Sequence, residues 1–275
     1  MDIMFYSSTS FSSMTLPELP YIFKKFSLLI ITDMNNWTGP CKIIVESPDF
    51  EKNQKQLLGI HPHGVTSIGL MNIVKITEAI IWLQPIIWSI LSMFATLRGA
   101  SHTSFRNIMK REESPLIMFP GGFQESTILD WGVDEIYIKN RYGFIKYCMQ
   151  YNYRIRPVYV FGECLTFNNT KFARNLRLFL NKFSIPGVFP YGDYWWLPFL
   201  PKKNVPLLVV IGSPIKVPYF PENPPRDEIK KYHKIYIERL QELYRTYSPK
   251  YLESFTDYEV IKKYKEIKLP EISLI

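Results

Sequence analysis

The sequence predicts an α/β fold in which a mixed sheet is flanked by helices. Three short apolar runs have the length and composition of buried strands, at residues 56–60, 115–119 and 155–161. Two stretches have helical character: residues 143–151, and the stretch after Pro224-Pro225, where apolar side chains recur at helical spacing. Strands that alternate with helices are typical of α/β domains, in which the ends of parallel strands build one crevice.

The tetrapeptide His61-Pro62-His63-Gly64 follows the first of these strands, and it holds two of the four histidines of the chain. Pro62 favours an extended backbone at His61, and alternate residues of an extended chain face the same side. Both imidazoles can therefore enter one cleft, and Gly64 lets the backbone turn there. Imidazole is the side chain best suited to proton transfer near neutral pH. We expect one histidine to do the chemistry and the other to orient it, rather than two equal catalysts.

A Pro-Gly-Gly turn follows the second strand at residues 120–122, with Glu125 shortly after it. Adjacent glycines let backbone N–H groups converge without obstruction by Cβ atoms, which suits an oxyanion or a phosphate. Taken alone, this is an ordinary turn. Because both motifs follow strand-like runs, we expect them to lie at the same crevice.

A third segment, residues 139–163, carries Arg141 and Lys146 at the start of a helix and Gly162-Glu163 after the third strand. Together these segments resemble the type-2 diacylglycerol acyltransferase family, which includes monoacylglycerol and wax-alcohol acyltransferases. The matching blocks are HPHG at 61–64, FPGGFQES at 119–126, RYGFIKYCMQYNYRIRPVYVFGE at 141–163, LLVVIGSPIKVP at 207–218 and EIKKYHKIYIERLQELY at 228–244. Their order and spacing match as well, so the resemblance covers roughly residues 55 to 251.

The resemblance implies a glycerolipid-acyltransferase-like fold that transfers a long-chain acyl group from acyl-CoA to diacylglycerol at a membrane. A thioester is already activated, so the reaction needs a base, oxyanion donors and cations for the CoA phosphates. By the resemblance His63 is the base and His61 its orienter, while Glu125 orients the imidazole or the acceptor hydroxyl. The expected substrate-binding residues are Gly64, Gly121, Gly122, Arg141, Lys146 and Glu163. No metal and no cofactor are expected, since acyl-CoA is a co-substrate.

Two alternatives stay open at this point. The acceptor could be a monoacylglycerol, a fatty alcohol or a lysophospholipid, or the chain could be a non-catalytic lipid-binding relative. The wider glycerolipid acyltransferases carry a His-x4-Asp pair, but Thr66 and Ile68 stand five residues after His61 and His63. Any carboxylate partner must therefore come from elsewhere in the sequence, and the retained His63 and Glu125 favour an enzyme.

Composition limits the class of partner. The net charge is +8 and 47% of the residues are hydrophobic, so the chain can bury a large core and attract anionic lipid or a phosphorylated co-substrate. No zinc-finger spacing, arginine-rich tract or RNA-binding motif supports nucleic acid as a partner. The three cysteines, Cys41, Cys148 and Cys164, form no metal or disulfide pattern, which fits a reducing compartment.

Residues 79–97 form a run of 19 residues without a charge, long enough to cross a membrane. Because this run lies between two catalytic motifs, we expect a helix that is partly embedded in one leaflet and broken near Pro85. A buried helix of a soluble core is the alternative. Residues 189–200, with their prolines and paired tryptophans, are a second candidate membrane contact, as a loop.

The expected organisation has an N-terminal membrane-proximal segment at residues 1–54, an acyltransferase domain at 55–251 and a basic C-terminal tail at 252–275. The expected location is the cytosolic face of the endoplasmic reticulum membrane or a lipid droplet. His233 lies on the apolar face of the C-terminal helix, where we expect a packed, hydrogen-bonded histidine rather than a catalyst.

Overall fold

The structure is a computed structural model. It describes residues 37–47, 54–65, 80–83, 97–99, 102–112, 114–170, 172–183, 187–194, 196, 200–267 and 272–275.

The central sheet is mixed, as the sequence predicts. Its seven strands are β1 (Cys41–Val45), β2 (Gln56–His61), β3 (Ile80–Leu83), β4 (Leu97–Gly99), β5 (Leu116–Met118), β7 (Arg154–Phe161) and β10 (Leu207–Ile211). Their spatial order is β1-β10-β7-β2-β5-β3-β4. Every neighbouring pair is parallel except β10 and β7. The three predicted strands are confirmed as β2, β5 and β7.

Two short ribbons and six helices surround this sheet within the described ranges. The ribbons pair β6 (Glu135–Ile136) with β11 (Ser273–Leu274) in parallel and β8 (Asn168–Asn169) with β9 (Pro190–Tyr191) antiparallel. The helices are α1 (His102–Lys110), α2 (Gly122–Ile128), α3 (Gly143–Tyr151), α4 (Arg174–Leu180), α5 (Arg226–Ser254) and α6 (Glu259–Ile267).

The long helix α5 begins where the sequence predicts it. Pro225 precedes its first residue, and two acidic residues occupy its first turn. His233 is buried on its apolar face, and its Nε2–H donates to the Ile138 carbonyl at 3.1 Å. The burial lowers the pKa of this imidazole. The expectation of a packed, hydrogen-bonded histidine is therefore confirmed.

The prediction of a helix over residues 79–97, broken near Pro85, is wrong at both described ends. Ile80–Leu83 forms β3 and Leu97–Gly99 forms β4, and the two strands are parallel neighbours at the edge of the sheet. Isoleucine and tryptophan fit a pleated sheet surface well, so pairing with β5 overrides the helical reading of this run. The expected break near Pro85 lies outside the described residues. In the part of the chain that the structure covers, no helix has both the length and the apolar character needed to span a membrane.

Residues 252–267 and 272–275 contribute to the same core as the rest of the described chain. Helix α5 runs through position 251, and α6 buries Ile261 and Tyr264. Lys262, Lys263 and Lys265 of α6 are exposed. The basic face of α6 is thus on the surface, while Tyr264 between the lysines is buried. The three-part organisation of the chain stays a prediction.

One buried carboxylate, that of Asp134, ties the C-terminal helices to the sheet. The hydroxyls of Tyr159 on β7 and Tyr244 on α5 each donate to it at 2.8 Å, and Tyr264 on α6 donates as well. Cys164 contributes its thiol at 3.5 Å. Burial raises the pKa of all three phenols, and the Asp134 charge adds to the effect. Three elements far apart in sequence therefore share one acceptor.

Asp134→Ala is expected to lower the free energy of unfolding by about 3 kcal/mol or more, because buried phenol donors lose their acceptor. Chemical denaturation measures this, and Asp257→Ala, at an exposed position, is the matched control. Because the pKa of these tyrosines is raised in the folded protein, their contribution to the free energy of unfolding is complete below the ordinary pKa of 10.0. It falls as the pH rises above that value. An Asp134→Ala protein as stable as the control would contradict the role of Asp134 in joining α5 and α6 to the sheet.

Candidate functional site

The carboxyl ends of β2, β5 and β7 meet at one edge of the sheet. β2 is parallel to both neighbours, with Gly59 opposite Met118 and His61 opposite Tyr159. The segments that follow the three strands therefore gather at this edge: His-Pro-His-Gly, Pro-Gly-Gly and Gly-Glu. The structure confirms that the motifs lie together at one edge of the sheet, while a substrate crevice there stays a prediction.

Glu125, on α2, is the buried centre of this site. Its Oε1 accepts the backbone N–H of His63 at 2.6 Å, and its Oε2 accepts the backbone N–H of Tyr137 at 3.3 Å. The Nδ1 atom of His61 lies 3.2 Å from Oε2 and 3.3 Å from Oε1. Since an ionised carboxylate only accepts, His61 carries a proton on Nδ1 in this contact. One side chain thus fixes an imidazole, the backbone of a second histidine and the chain at residue 137.

Gly121 makes this position of Glu125 possible. A Cβ atom added to Gly121 would lie 1.8 Å from the Oε2 atom of Glu125. No side chain other than hydrogen fits there while the carboxylate keeps its place. The sequence assigned Gly121 to substrate binding, and the structure shows what the residue does within the fold, while the binding role stays a prediction.

His63 is half-buried, and its hydrogen bonds determine its tautomer. Its Nδ1 lies 2.9 Å from the Gly64 carbonyl, which can only accept, so Nδ1 carries the proton of the neutral ring. The Ser126 hydroxyl lies 2.7 Å from the same nitrogen and donates to the same carbonyl at 2.8 Å. The Phe119 ring packs against the imidazole, with centroids 4.4 Å apart. In this tautomer Nε2 is the nitrogen that carries no proton, which is what a general base requires.

Burial lowers the pKa of His63 from its ordinary value of 6.5. The hydrogen bond to Gly64 and the charge of Glu125 act in the opposite direction but are smaller influences. The ring is therefore neutral at pH 7 and able to take a proton.

His61 differs from His63 in exposure. It is fully buried between Glu125 and Tyr236, whose ring centroid lies 6.1 Å away. Its Nε2 has no hydrogen-bond partner among the residues that the structure describes. A buried ring held by a carboxylate suits an orienter, and a half-buried ring with its proton on Nδ1 suits a base that acts through Nε2. The geometry is compatible with the two roles expected from the sequence, which stay predictions.

Two details of the site differ from simple expectation. Glu125 contacts the imidazole of His61 and only the backbone of His63, so it does not orient the ring of the expected base directly. Ser126 and the Gly64 carbonyl do that instead, and Ser126 received no role from the sequence. The sequence did contain a signal for Ser126, because it directly follows Glu125 and a hydroxyl there lies in the same helical turn as the carboxylate.

The structure also brings Gly64 and Glu163 together. Gly64 has a φ of +65°, and a Cβ atom on it would lie 2.3 Å from the Oε1 atom of the buried Glu163. Gly122 also has a positive φ, and its N–H donates to the Phe119 carbonyl at 3.1 Å. That amide is used within the turn, so a substrate-binding role for Gly122 cannot rely on it while the turn bond is made.

The two predicted cations, Arg141 and Lys146, differ in how they are bonded to this network. Arg141 donates from Nη2 to the Gln124 Oε1 atom at 2.5 Å, next to Glu125 on α2, and its guanidinium lies 5.0 Å from the Tyr137 ring centroid. Lys146 is half-buried on α3. Within the described chain, no hydrogen bond or ion pair joins Lys146 to the histidines or to Glu125. Arg141 is therefore the cation linked to the site through a direct contact.

Comparisons with known proteins agree with the motifs. Residues 31–261 match the family model described as diacylglycerol acyltransferase. The diacylglycerol O-acyltransferase 1 of Eremothecium gossypii is 29% identical over 228 residues, which cover 72% of this chain and 48% of that protein. The diacylglycerol O-acyltransferase 2-like protein 6 of Mus musculus is 28% identical over 262 residues, with 79% and 75% covered. The chain thus matches about half the length of the first relative.

Among solved structures, the 1-acyl-sn-glycerophosphate acyltransferase PlsC of Thermotoga maritima aligns with a TM-score of 0.45 and 15% sequence identity. The alignment covers 79% of this chain and 76% of that one.

His63 is expected to titrate below 6.5 and to carry its neutral-form proton on Nδ1, because burial disfavours the charged ring and the Gly64 carbonyl needs a donor. Nitrogen-15 NMR of the four histidines measures both properties, and a His63→Gln protein assigns the signal. Ser126→Ala should keep the tautomer, since the carbonyl partner remains. A proton found on Nε2, or a pKa above 6.5, would refute this description of the base.

Proposed function

Because the chain belongs to the diacylglycerol acyltransferase family, we propose that it transfers a long-chain acyl group from acyl-CoA to the free hydroxyl of diacylglycerol. The observation that carries the proposal is the arrangement around His63: a neutral, half-buried imidazole whose Nδ1–H is held by the Gly64 carbonyl, so that Nε2 is the unprotonated nitrogen of the ring. The buried Glu125 carboxylate, which also contacts His61, holds the backbone of His63 in place. Acyl transfer from an activated thioester requires a base held in this way.

In the proposed reaction, Nε2 of His63 removes the proton of the acceptor hydroxyl as its oxygen attacks the thioester carbonyl. A C–O bond forms and the carbonyl oxygen becomes an oxyanion. The intermediate collapses when the C–S bond breaks, and His63 returns the proton to the departing CoA thiolate. The products are triacylglycerol and free CoA, and the enzyme regains its starting protonation state.

Glu125 has a positioning role in this proposal. A buried carboxylate is costly when its oxygens lack donors, but Glu125 accepts three N–H groups in total, which compensates its desolvation. The preorganised network holds His63 in place before substrate arrives, so little reorganisation remains for the chemical step.

The proposed contacts of the acyl donor are electrostatic. Arg141, linked to α2 through Gln124, is the cation best placed for a CoA phosphate, and Lys146 is a second candidate. Gly64, Gly121, Gly122 and Glu163 would shape the pocket for the reacting groups. The partners of the protein are then acyl-CoA, a neutral glycerolipid and a membrane, and no nucleic acid is required.

We also propose that the protein works at the cytosolic face of the endoplasmic reticulum membrane or on a lipid droplet. The reason is the solubility of the substrates: diacylglycerol resides in the bilayer, while acyl-CoA presents a polar phosphorylated head to the aqueous side. The cysteines fit a reducing compartment, since Cys148 and Cys164 are buried free thiols and burial raises the pKa of each.

A His63→Ala protein is expected to lose acyl transfer by about 100-fold or more, the scale for removal of a general base. The measurement is release of CoA thiol from acyl-CoA in the presence of diacylglycerol. Ser126→Ala is the matched comparison, because it removes one contact of the ring and leaves the base; its loss should be smaller, about tenfold. Near-normal turnover by a well-folded His63→Ala protein would overturn the mechanism.

In Glu125→Gln, kcat is expected to fall by a larger factor than KM for acyl-CoA rises. The amide keeps the size of the side chain but cannot accept from all three N–H groups, so His61 and the His63 backbone lose their fixed positions. Steady-state kinetics measures the two constants, and Glu112→Gln, an exposed carboxylate paired with Lys55, is the control. A change confined to KM would make Glu125 a substrate-binding residue.

The acceptor is identified by a panel of labelled reactions. Diacylglycerol, monoacylglycerol, a fatty alcohol and a lysophospholipid are each offered with labelled acyl-CoA, and lipid chromatography identifies the product. The proposal requires triacylglycerol as the main product. If no acceptor stimulates thiol release, the chain is a non-catalytic lipid-binding relative.

A further inference from the structure

The exposed apolar side chains of the described residues are concentrated in one short stretch. Of ten large hydrophobic residues that are exposed, eight lie between positions 172 and 196. We call these eight the aromatic platform: Phe172, Leu176, Phe179, Phe183, Phe189, Tyr191, Tyr194 and Trp196. The exposed fraction reaches 83% at Phe172 and 62% at both Phe183 and Trp196. Scattered apolar residues are normal on a protein surface, whereas a concentrated patch marks a binding surface.

Helix α4, at the centre of this stretch, exposes large apolar side chains. Leu176 and Phe179 are exposed beside Arg174 and Asn175, and the one residue that the helix fully buries is Arg177. A helix on a water-facing surface turns its large apolar residues inward. The mixed apolar and basic outer face of α4 therefore suits contact with a lipid interface better than contact with water alone.

The inward side of the stretch is held by a buried polar cluster. The guanidinium of Arg177 donates to the carbonyls of Phe172 at 2.9 Å, Gly187 at 3.0 Å and Thr127 at 3.3 Å. Asn181 donates to the Thr127 hydroxyl at 2.8 Å and accepts the Gly187 N–H at 3.0 Å. The exposed aromatics are therefore carried on a framework with fixed hydrogen bonds.

The same cluster joins the platform to the catalytic helix. Thr127 belongs to α2, directly after Glu125 and Ser126, and Asn169 donates to the Thr127 and Leu129 carbonyls at 3.2 and 3.1 Å. These carbonyls are the ones left without partners where α2 ends. Because Arg177 and Asn169 cap that end, the platform and the proposed catalytic residues are parts of one connected unit.

Charge favours an anionic, membrane-like partner for this surface. Residues 166–204 contain six basic residues, of which Arg177 is buried, and one acidic residue, Asp193. Lys203 lies 4.0 Å from the Trp37 ring centroid and 5.7 Å from that of Tyr194. Aromatic side chains with neighbouring cations are the composition of a membrane interface, where rings sit at headgroup level and cations meet anionic lipid.

We propose that the aromatic platform docks on the surface of a lipid bilayer and holds the α2 end of the site at the membrane, where a lipid acceptor resides. The inference rests on the proposed function for the identity of that acceptor. The binding itself requires only the surface: aromatic side chains enter the interface and the cations face the lipid headgroups.

Vesicle flotation tests the surface. The full chain is mixed with vesicles of phosphatidylcholine and phosphatidylserine, and the bound fraction is compared between wild type and a Phe172→Asp/Leu176→Asp protein. Both positions are exposed, so the protein should fold, which thermal melting verifies. The partition coefficient is expected to fall by at least about tenfold, because charges replace apolar groups at the interface. Tyr219→Asp/Ile267→Asp adds the same charge at exposed apolar positions outside the platform and should bind like wild type.

A fluorescent probe reports the contact directly. Leu176→Cys and Tyr219→Cys are each labelled with an environment-sensitive dye in a Cys41→Ser background, since Cys148 and Cys164 are buried. Vesicles should shift the emission of the label at position 176 to the blue and leave the label at 219 unchanged. Equal shifts at both positions, or none at 176, would overturn the proposal.

The remaining outcomes separate docking from catalysis. The platform variant should keep wild-type turnover on a dispersed short-chain diacylglycerol and lose turnover on diacylglycerol in vesicles. If wild type transfers to neither but the binding results stand, the proposed function fails and the docking surface remains. Retained flotation of the platform variant, or equal loss in the control variant, overturns the docking surface. If light scattering shows that the variant loses self-association instead, the platform binds a second copy and the lipid proposal is wrong.

Discussion

The carboxylate of Glu125 is the interaction on which the site depends. It is buried where two other chain segments meet helix α2, and it accepts three N–H groups: the ring N–H of His61 and the backbone N–H of His63 from one segment, and the backbone N–H of Tyr137 from the other. A buried carboxylate without such donors would be strongly destabilising, so these contacts hold both segments to α2. Gly121 is required by the same arrangement, since the Cβ atom of any other residue would displace the carboxylate.

Two histidines two positions apart acquire different properties from this arrangement. His61 ends strand β2, where its ring is sealed against Glu125 and Tyr236, while His63 lies beyond the strand and remains half-exposed. The ring of His63 is held by a carbonyl and a hydroxyl, which set its tautomer without providing a full counter-charge. Burial then lowers its pKa and keeps it neutral. The difference in role follows from where each residue stands relative to the strand end.

Helix α2 connects this chemistry to the outer surface. Its first turns carry Glu125 and Ser126, and the carbonyls at its far end are capped by Arg177 and Asn169. The buried guanidinium of Arg177 is compensated by hydrogen bonds to the carbonyls of Phe172, Thr127 and Gly187, while Leu176 and Phe179 of the same helix are exposed. Helix α2 therefore takes part in the catalytic network at one end and in the attachment of the aromatic platform at the other. Behind it, the Asp134 cluster fixes α5 and α6 to the sheet that carries both histidines.

Much of this protein was determined by local sequence. The apolar runs specified β2, β5 and β7, the Pro-Pro-x-Asp-Glu start specified α5, and the succession of strands and helices placed three motifs at one sheet edge, because these features depend on residue periodicity and chain direction. The run at 79–97 misled, since an uncharged apolar stretch has the same composition in a buried strand as in a helix, and only pairing with β5 distinguishes them. The contacts of Ser126, the three phenols around Asp134 and the burial of Arg177 on α4 were decided by tertiary structure. Each depends on atoms brought together from distant positions, and a sequence pattern records the identity of a donor or a ring but not what lies opposite it in space.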